Sequence, residues 1–211
     1  PLDASAVFLF VKRMNYDTGW DALVRAFVRE FPPGPKAAQL VLKFGHQMDE
    51  HARRLTQRAL LSCADCPSEL PSNVFILAQR LDSMEMRLLL DLADAYVEPS
   101  RGSGCMSVSA MQMMARRRPV IGPAWNFCRQ CRVAGTPDGA AGVFTVRVAG
   151  SIPAFTEVWQ QEVLLADQLD QDFVQPNETD LRLKLREFAS KGEEARRALG
   201  LAAAGSIARL A

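Results

Sequence analysis

The stretch from Asp94 to Trp125, DAYVEPSRGSGCMSVSAMQMMARRRPVIGPAW, constrains the fold more than any other part of the chain. Ala95–Glu98 is a short run of strand type, with Tyr96 and Val97 side by side, that breaks at Pro99 into small residues: Ser100, Gly102, Ser103 and Gly104. The Met- and Ala-rich segment from Met106 to Ala115 reads as a helix, and Pro119, Val120 and Ile121 open a second buried strand. Strand, loop, helix and strand in this order make a βαβ unit, the crossover that parallel strands require. Its loop is expected to present backbone N–H groups and a helix N-terminus to an anion such as phosphate. Gly-x-Gly by itself is shared with ordinary turns, so the flanking residues must carry the argument.

The same alternation runs through the chain. Ala6–Lys12 is a continuous apolar run suited to a strand buried on both faces. Thr18 and Asp21 are spaced as a capping box before a helix whose face is Trp20, Leu23, Val24, Phe27, Val28 and Phe31. Ala38–Phe44 reads as strand two, ended by Gly45, and Asp49–Leu61 as a polar helix with Ala52, Leu55 and Ala59 inward. Asn73–Ala78 is strand three, and Asp82 with Glu85 caps a helix whose inward positions are Met86, Leu89, Leu90 and Ala93.

After Trp125 comes an irregular, Gly-rich stretch, with one strand or hairpin arm at Ala140–Ala149. Asn177 with Asp180 starts a helix lined by Leu181, Leu185 and Phe188, and a helical pair, Glu193–Leu199 and about Ala203–Leu210, closes the chain. These elements predict one α/β domain over residues 1–211: a Rossmann-like, doubly wound, mainly parallel core over about 6–175, closed by helices over about 177–211. Ligands bind such sheets beyond the carboxyl ends of the strands, so three loops should converge there: Lys12–Thr18, Ala78–Asp82 and Ser100–Met106.

Charge excludes little but usefully. Lys and Arg number 25 against 24 Asp and Glu in 211 residues, which argues against nucleic acid as a partner. The longest basic run, Arg116–Arg118, reads as a solvated helix end. No apolar run has the length of a membrane span, and Val7–Val11 is too short for a signal peptide, so the compartment stays open. The chain begins at Pro1 without a methionine, as expected of a processed product or a piece of something longer.

Two Cys-x-x-Cys pairs, Cys63/Cys66 and Cys128/Cys131, have the local spacing of a zinc site. The doubly wound order sets them at opposite ends of the sheet, which predicts no shared metal and leaves local thiols or one strained local disulfide. His46 and His51 stand at the start of a polar helix in a solvated or capping role. Ser100 and Ser103 have no histidine partner on a nearby loop, so nucleophilic catalysis is not expected.

The words DAYVEPSRGSG, AMQMMARRRPVIGPAW and VFLFVKRMNYDTGWDALVRAFVREF resemble the donor-sugar half of retaining GT-B glycosyltransferases of family four. The resemblance runs from about Val7 to the last helices. It implies half of a GT-B fold, with the preceding acceptor domain absent from this chain. It also implies a nucleotide-diphosphate sugar as ligand and no further cofactor. In that family an arginine and a lysine of the first loop clamp the diphosphate, assisted by amides of the glycine loop. One glutamate lies near the donor sugar and a second holds the ribose.

Carried over by position, the resemblance places Lys12 or Arg13 at the arginine, and Ser100, Gly102, Ser103 and Gly104 around the phosphates. The lysine position falls on Thr18, beside Asp17, and the first glutamate on Ser103. The second falls on Gln112 when aligned from Pro119 and on Met111 when aligned from Pro99; Gln112 would hold the ribose without charge assistance. The glycine before Pro-Val-Ile is Arg117.

Fold words survive while charged words are lost, and developing charge on a leaving diphosphate needs those charges. Two classes follow. One is a glycosyltransferase-like nucleotide-sugar-binding domain, degenerate and inactive as an isolated chain. The other is a non-catalytic structural or interaction subunit, held by protein partners in a larger assembly.

Overall fold

The computed structural model of the chain describes residues 6–34, 36–45, 49–102, 107–125, 138–139, 141–153 and 172–209, with Cys128 and Cys131. Six strands make one parallel sheet: β1 (Val7–Lys12), β2 (Gln39–Phe44), β3 (Val74–Leu77), β4 (Ala95–Val97), β5 (Val120–Pro123) and β6 (Val143–Val146). Their order is β3-β2-β1-β4-β5-β6, with Phe8 beside both Leu40 and Ala95 at the centre. This is the Rossmann-like, doubly wound arrangement, and its strand order reverses between β1 and β4.

Side chains that alternate along β1 feed two separate cores. Phe8 and Phe10 join the cluster under α1 (Trp20–Glu30), α2 (Asp49–Leu61) and α5 (Glu178–Ala189). Leu9 joins the other, under α3 (Ser83–Leu92), α4 (Val108–Ala115) and α6 (Glu193–Ala208). Residues 23, 24, 27 and 28 of α1 are buried, as their helical spacing requires, and so are Leu181, Leu185 and Phe188 of α5. Cys66 packs against the first cluster, whereas Cys128 and Cys131 belong to the second. Cys63, Cys66 and Cys131 are free thiols. Burial and a hydrogen bond to Cys63 push the Cys66 thiol up to about 12.

Three expectations are corrected. Thr18 does not cap α1. Its hydroxyl donates to the carbonyls of Asn15 (2.7 Å) and Arg13 (3.2 Å), closing the short 3-10 turn Tyr16–Thr18. Gly19, at φ 73°, then starts the helix with no side-chain cap. Ala140–Ala149 does not hold a single strand or arm either. Val143–Val146 completes the parallel sheet, and after Arg147 a second strand, β7 (Val148–Pro153), pairs antiparallel with β8 (Asp172–Pro176). Arg147, between the two sheets, is held by the start of α5: its N–H donates to Asp180 and its carbonyl accepts from the Asn177 N–H.

The closing helical pair is one continuous helix, α6. Gly200 sits inside it because a Cβ there would come 2.0 Å from the carbonyl oxygen of Arg117. The glycine marks a close approach, not a break.

Asp82 and Glu85 do form the expected capping box on α3. Replacing Asp82 by alanine is expected to lower stability by about 1 kcal/mol. An unchanged urea midpoint would show that the first turn of α3 contributes nothing.

Candidate functional site

The crevice of a doubly wound sheet opens where the strand order reverses. Here that point lies beyond the ends of β1 and β4, at Lys12 and Glu98. Lys12 Nζ is 3.1 Å from Glu98 Oε1, and the Glu98 side chain is 3% exposed. The other carboxylate oxygen accepts a hydrogen bond from Ser107 Oγ, which in turn caps α4 by accepting from the Ala110 N–H at 3.2 Å. A carboxylate is thus tied to the first turn of α4, where helix dipole and free N–H groups favour negative charge. Glu98 reaches this helix through the Ser107 hydroxyl. The Tyr96 hydroxyl, which donates to the Val11 carbonyl at 3.2 Å, is pushed well up by burial and then by the Glu98 charge.

The glycine loop is held from below. Arg101 N–H donates to the Asp17 carbonyl at 2.7 Å and Gly102 N–H to the same oxygen at 3.2 Å. Ser100 Oγ also donates to it, at 3.2 Å. Neither of these two amides is therefore free for phosphate. Gly102 lies against the ring of Phe173 on β8, where a Cβ would come within 2.5 Å. Ser103 and Gly104 lie outside the described residues, as do His46 and Met106.

Arg101 is the centre of this region. Its guanidinium is 2.5 and 2.8 Å from the two Asp21 oxygens and donates to the carbonyl of Tyr16 (2.8 Å) and to Gln175 Oε1 (2.9 Å). It also lies over the Tyr16 ring, 3.9 Å from the centroid. Burial alone would raise the Asp21 carboxyl; the charges of Arg101 and Arg25 override it and hold that carboxyl below the usual range. Burial likewise pushes the Asp17 carboxyl up.

A groove of about 360 Å³ lies at the ends of β1, β2 and β3. Four cations line it: Lys12 and Arg13 from the first loop, Lys43 at the end of β2 and Arg80 after β3. Among the described residues, no carboxylate lines it. Arg13 and Arg80 are exposed, while Lys43 is buried, donates its ammonium to the Phe44 carbonyl and is pushed down by desolvation. The first loop and the loop before α3 therefore meet as expected, joined by Lys43–Gly45, which sequence reasoning did not single out.

On α4, Gln112 is exposed and Met111 packs partly against the second core, so the two alignments lead to unlike environments. Ser109 of the same helix reaches the Val11 carbonyl at 3.4 Å. Glu98 was also missed. A carboxylate directly after a strand buried on both faces was the available signal. Among the described residues, no group of three or more His, Cys, Asp or Glu could hold a metal ion. Among them also, no helix is long and apolar enough to cross a membrane.

This fold is that of the C-terminal domain of GT-B glycosyltransferases. The chain aligns with the C-terminal domain of the group 1 glycosyl transferase LpcC from Francisella tularensis at 13% identity and a TM-score of 0.67, covering 98% of this chain and 86% of that one. Sucrose-phosphate synthase from Thermosynechococcus elongatus aligns at 18% identity and a TM-score of 0.63, over 100% of this chain and 42% of that one. Anabaena HepE in complex with UDP and glucose aligns at 11% identity and a TM-score of 0.64, over 98% and 44%. The chain thus spans less than half the length of the latter two. The sequence matches no protein-family model and no curated protein.

Proposed function

We propose that this chain is a donor-domain-like module that binds a nucleoside diphosphate, or its sugar conjugate, and does not transfer the sugar by itself. The observation that carries this reading is the groove lined by four cations, with no carboxylate among its described lining residues, at the carboxyl ends of β1, β2 and β3, the end of the sheet at which doubly wound folds take their ligands. HepE, which shares the fold, was crystallised with UDP and glucose. Lys12 and Arg13 are the diphosphate contacts in this reading. Ser100, Gly102, Ser103 and Gly104 are the loop that the resemblance assigns to the phosphates, and Gln112 is the ribose contact it implies.

Inactivity follows from what surrounds them. Lys12 is paired with Glu98, Thr18 is turned inward, and uncharged Ser103 and Gln112 (or Met111) stand where the resemblance puts glutamates. Transition-state charge then has few preorganised partners.

Calorimetric titration with UDP and GDP at low salt tests the reading. Micromolar binding is expected, weakened about tenfold or more in Arg13→Ala, which corresponds to about 1.4 kcal/mol. No heat up to millimolar nucleotide would retire it.

A second reading, a subunit held by protein partners, is favoured by one observation. Met84, Leu88 and Leu92, four residues apart on α3, are 62%, 56% and 71% exposed. That spacing makes a single apolar stripe on one helix face.

A further inference from the structure

A second cationic pocket lies at the opposite end of the sheet, where the chain enters β4 and β5. Its volume is about 720 Å³. Residues 116–118, all arginine, line it together with Arg196 and Arg197 of α6. Most of the nearby carboxylate is already engaged. Asp91 is 2.7 Å from Arg116, and its carbonyl accepts from Arg118 at 2.7 Å. Asp94 accepts the Val7 N–H at 2.8 Å and lies 3.9 Å from Arg196. Glu193 pairs with Arg197 at 2.6 Å, both 77% exposed, where an ion pair holds its partners loosely. Five guanidinium groups thus face three carboxylates, and the buried Nε of Arg118 has no acceptor among the described residues.

Arg117 turns this charge excess into a site. Its φ is 61°, the left-handed region that L side chains avoid, and it is the only non-glycine with positive φ among the described residues. The turn is packed against α6 at Gly200, so the backbone cannot relax. Glycine would adopt this conformation without strain. Instead the position carries an exposed arginine at the pocket. The first turn of α6 opens on the same pocket, and its N-cap, Gly192, supplies no side-chain acceptor.

We infer that this pocket binds a phosphate ester, gripped by the guanidinium groups of Arg117 and Arg197. Arginine forks match phosphate oxygens in paired hydrogen bonds, which lysine cannot reproduce. The site is separate from the groove at the other end of the strands and stands whether or not nucleotide binds there. The phosphate belongs either to a soluble ester or to a lipid headgroup.

The test follows backbone amide shifts during titration with inorganic phosphate. It uses the wild-type chain, Arg117→Gly with Arg197→Gln, and Arg13→Ala. Saturable shifts at residues 116–118 and 192–197 are expected, with affinity falling about tenfold in the double variant and unchanged in Arg13→Ala. Arg117→Gly relieves the backbone, so the variant is expected to fold at least as well as the parent. Cosedimentation with phosphatidylcholine vesicles containing phosphatidic acid, blocked by free phosphate, would assign the headgroup. Phosphate shifts without vesicle binding would assign a soluble ester. The inference is overturned by no shifts at these residues, by equal affinity in the double variant, or by polyglutamate competing as well as phosphate. The last outcome would mark an acidic protein partner.

Discussion

Exchanging Asp21 for alanine is expected to cost the fold about 3–5 kcal/mol, because it leaves a buried guanidinium without its counter-charge. Arg101 and Asp21 have side chains 1% and 2% exposed, so water cannot replace the lost partner. Arg25, 3.1 Å from Asp21, would lose an acceptor in the same step, although Glu178 at 2.5 Å would still hold it. Urea denaturation measures the loss, and a change below about 1 kcal/mol would reduce the pair to a surface-like contact.

The same pair gives a signed pH dependence. The Asp21 carboxyl is depressed in the fold. Its contribution is therefore complete above the unfolded value of about 3.9 and is lost as pH falls through that value toward the lower folded one. The stability gap between the parent chain and Asp21→Asn should be constant near neutrality and narrow only below about pH 4. A gap that stays constant into strong acid would mean that the Asp21 carboxyl titrates alike in the folded and the unfolded chain.

The second large effect is expected at Gly19. An alanine there would place its Cβ 1.9 Å from the carbonyl oxygen of Pro99, at a backbone φ of 73°. Left-handed strain of about 1–2 kcal/mol adds to about 1–3 kcal/mol for forcing atoms into packed space. Gly19→Ala should thus lose about 3 kcal/mol or more, by the sum of those two costs. Gly34→Ala, with nothing within 4 Å, should stay within about 0.5 kcal/mol of the parent and serves as the control. Equal effects at the two positions would mean that the first loop does not press on the loop after β4. That contact brings Asp17 under the amides of Arg101 and Gly102.

Most of the parallel sheet was legible because β1, β3 and β4 carried apolar runs and the helices between them periodic faces. Those patterns are local. The capping box at Asp82 was legible for the same reason. Thr18 failed as a cap although it has the same type of spacing. Asp21 answers to Arg101, which is 80 positions away in the chain, so local grammar could not assign it. Gly200 reads as a helix breaker until the Arg117 carbonyl is set against it. Lys12 and Arg13 were found from the resemblance, whereas Lys43 and Arg80 join them only through the parallel register of β1, β2 and β3. Glu98 carried a signal that went unread. A carboxylate following three buried strand residues needs a partner, and Lys12 and Ser107 supply one.

The bonds of Arg101 also bear on how the chain reaches this fold. Its partners come from 80 residues before it and 74 after it. Two long chain segments must close before the guanidinium is fully paired, although the entropy of closure grows only slowly with their length. Until β8 arrives, Nε lacks its Gln175 acceptor and the loop lacks the ring of Phe173 above Gly102. An unmet buried donor carries a penalty of about 1–3 kcal/mol, so a chain without those residues holds its first helix less firmly. Through one guanidinium, helix α1 registers whether strand β8 has been made.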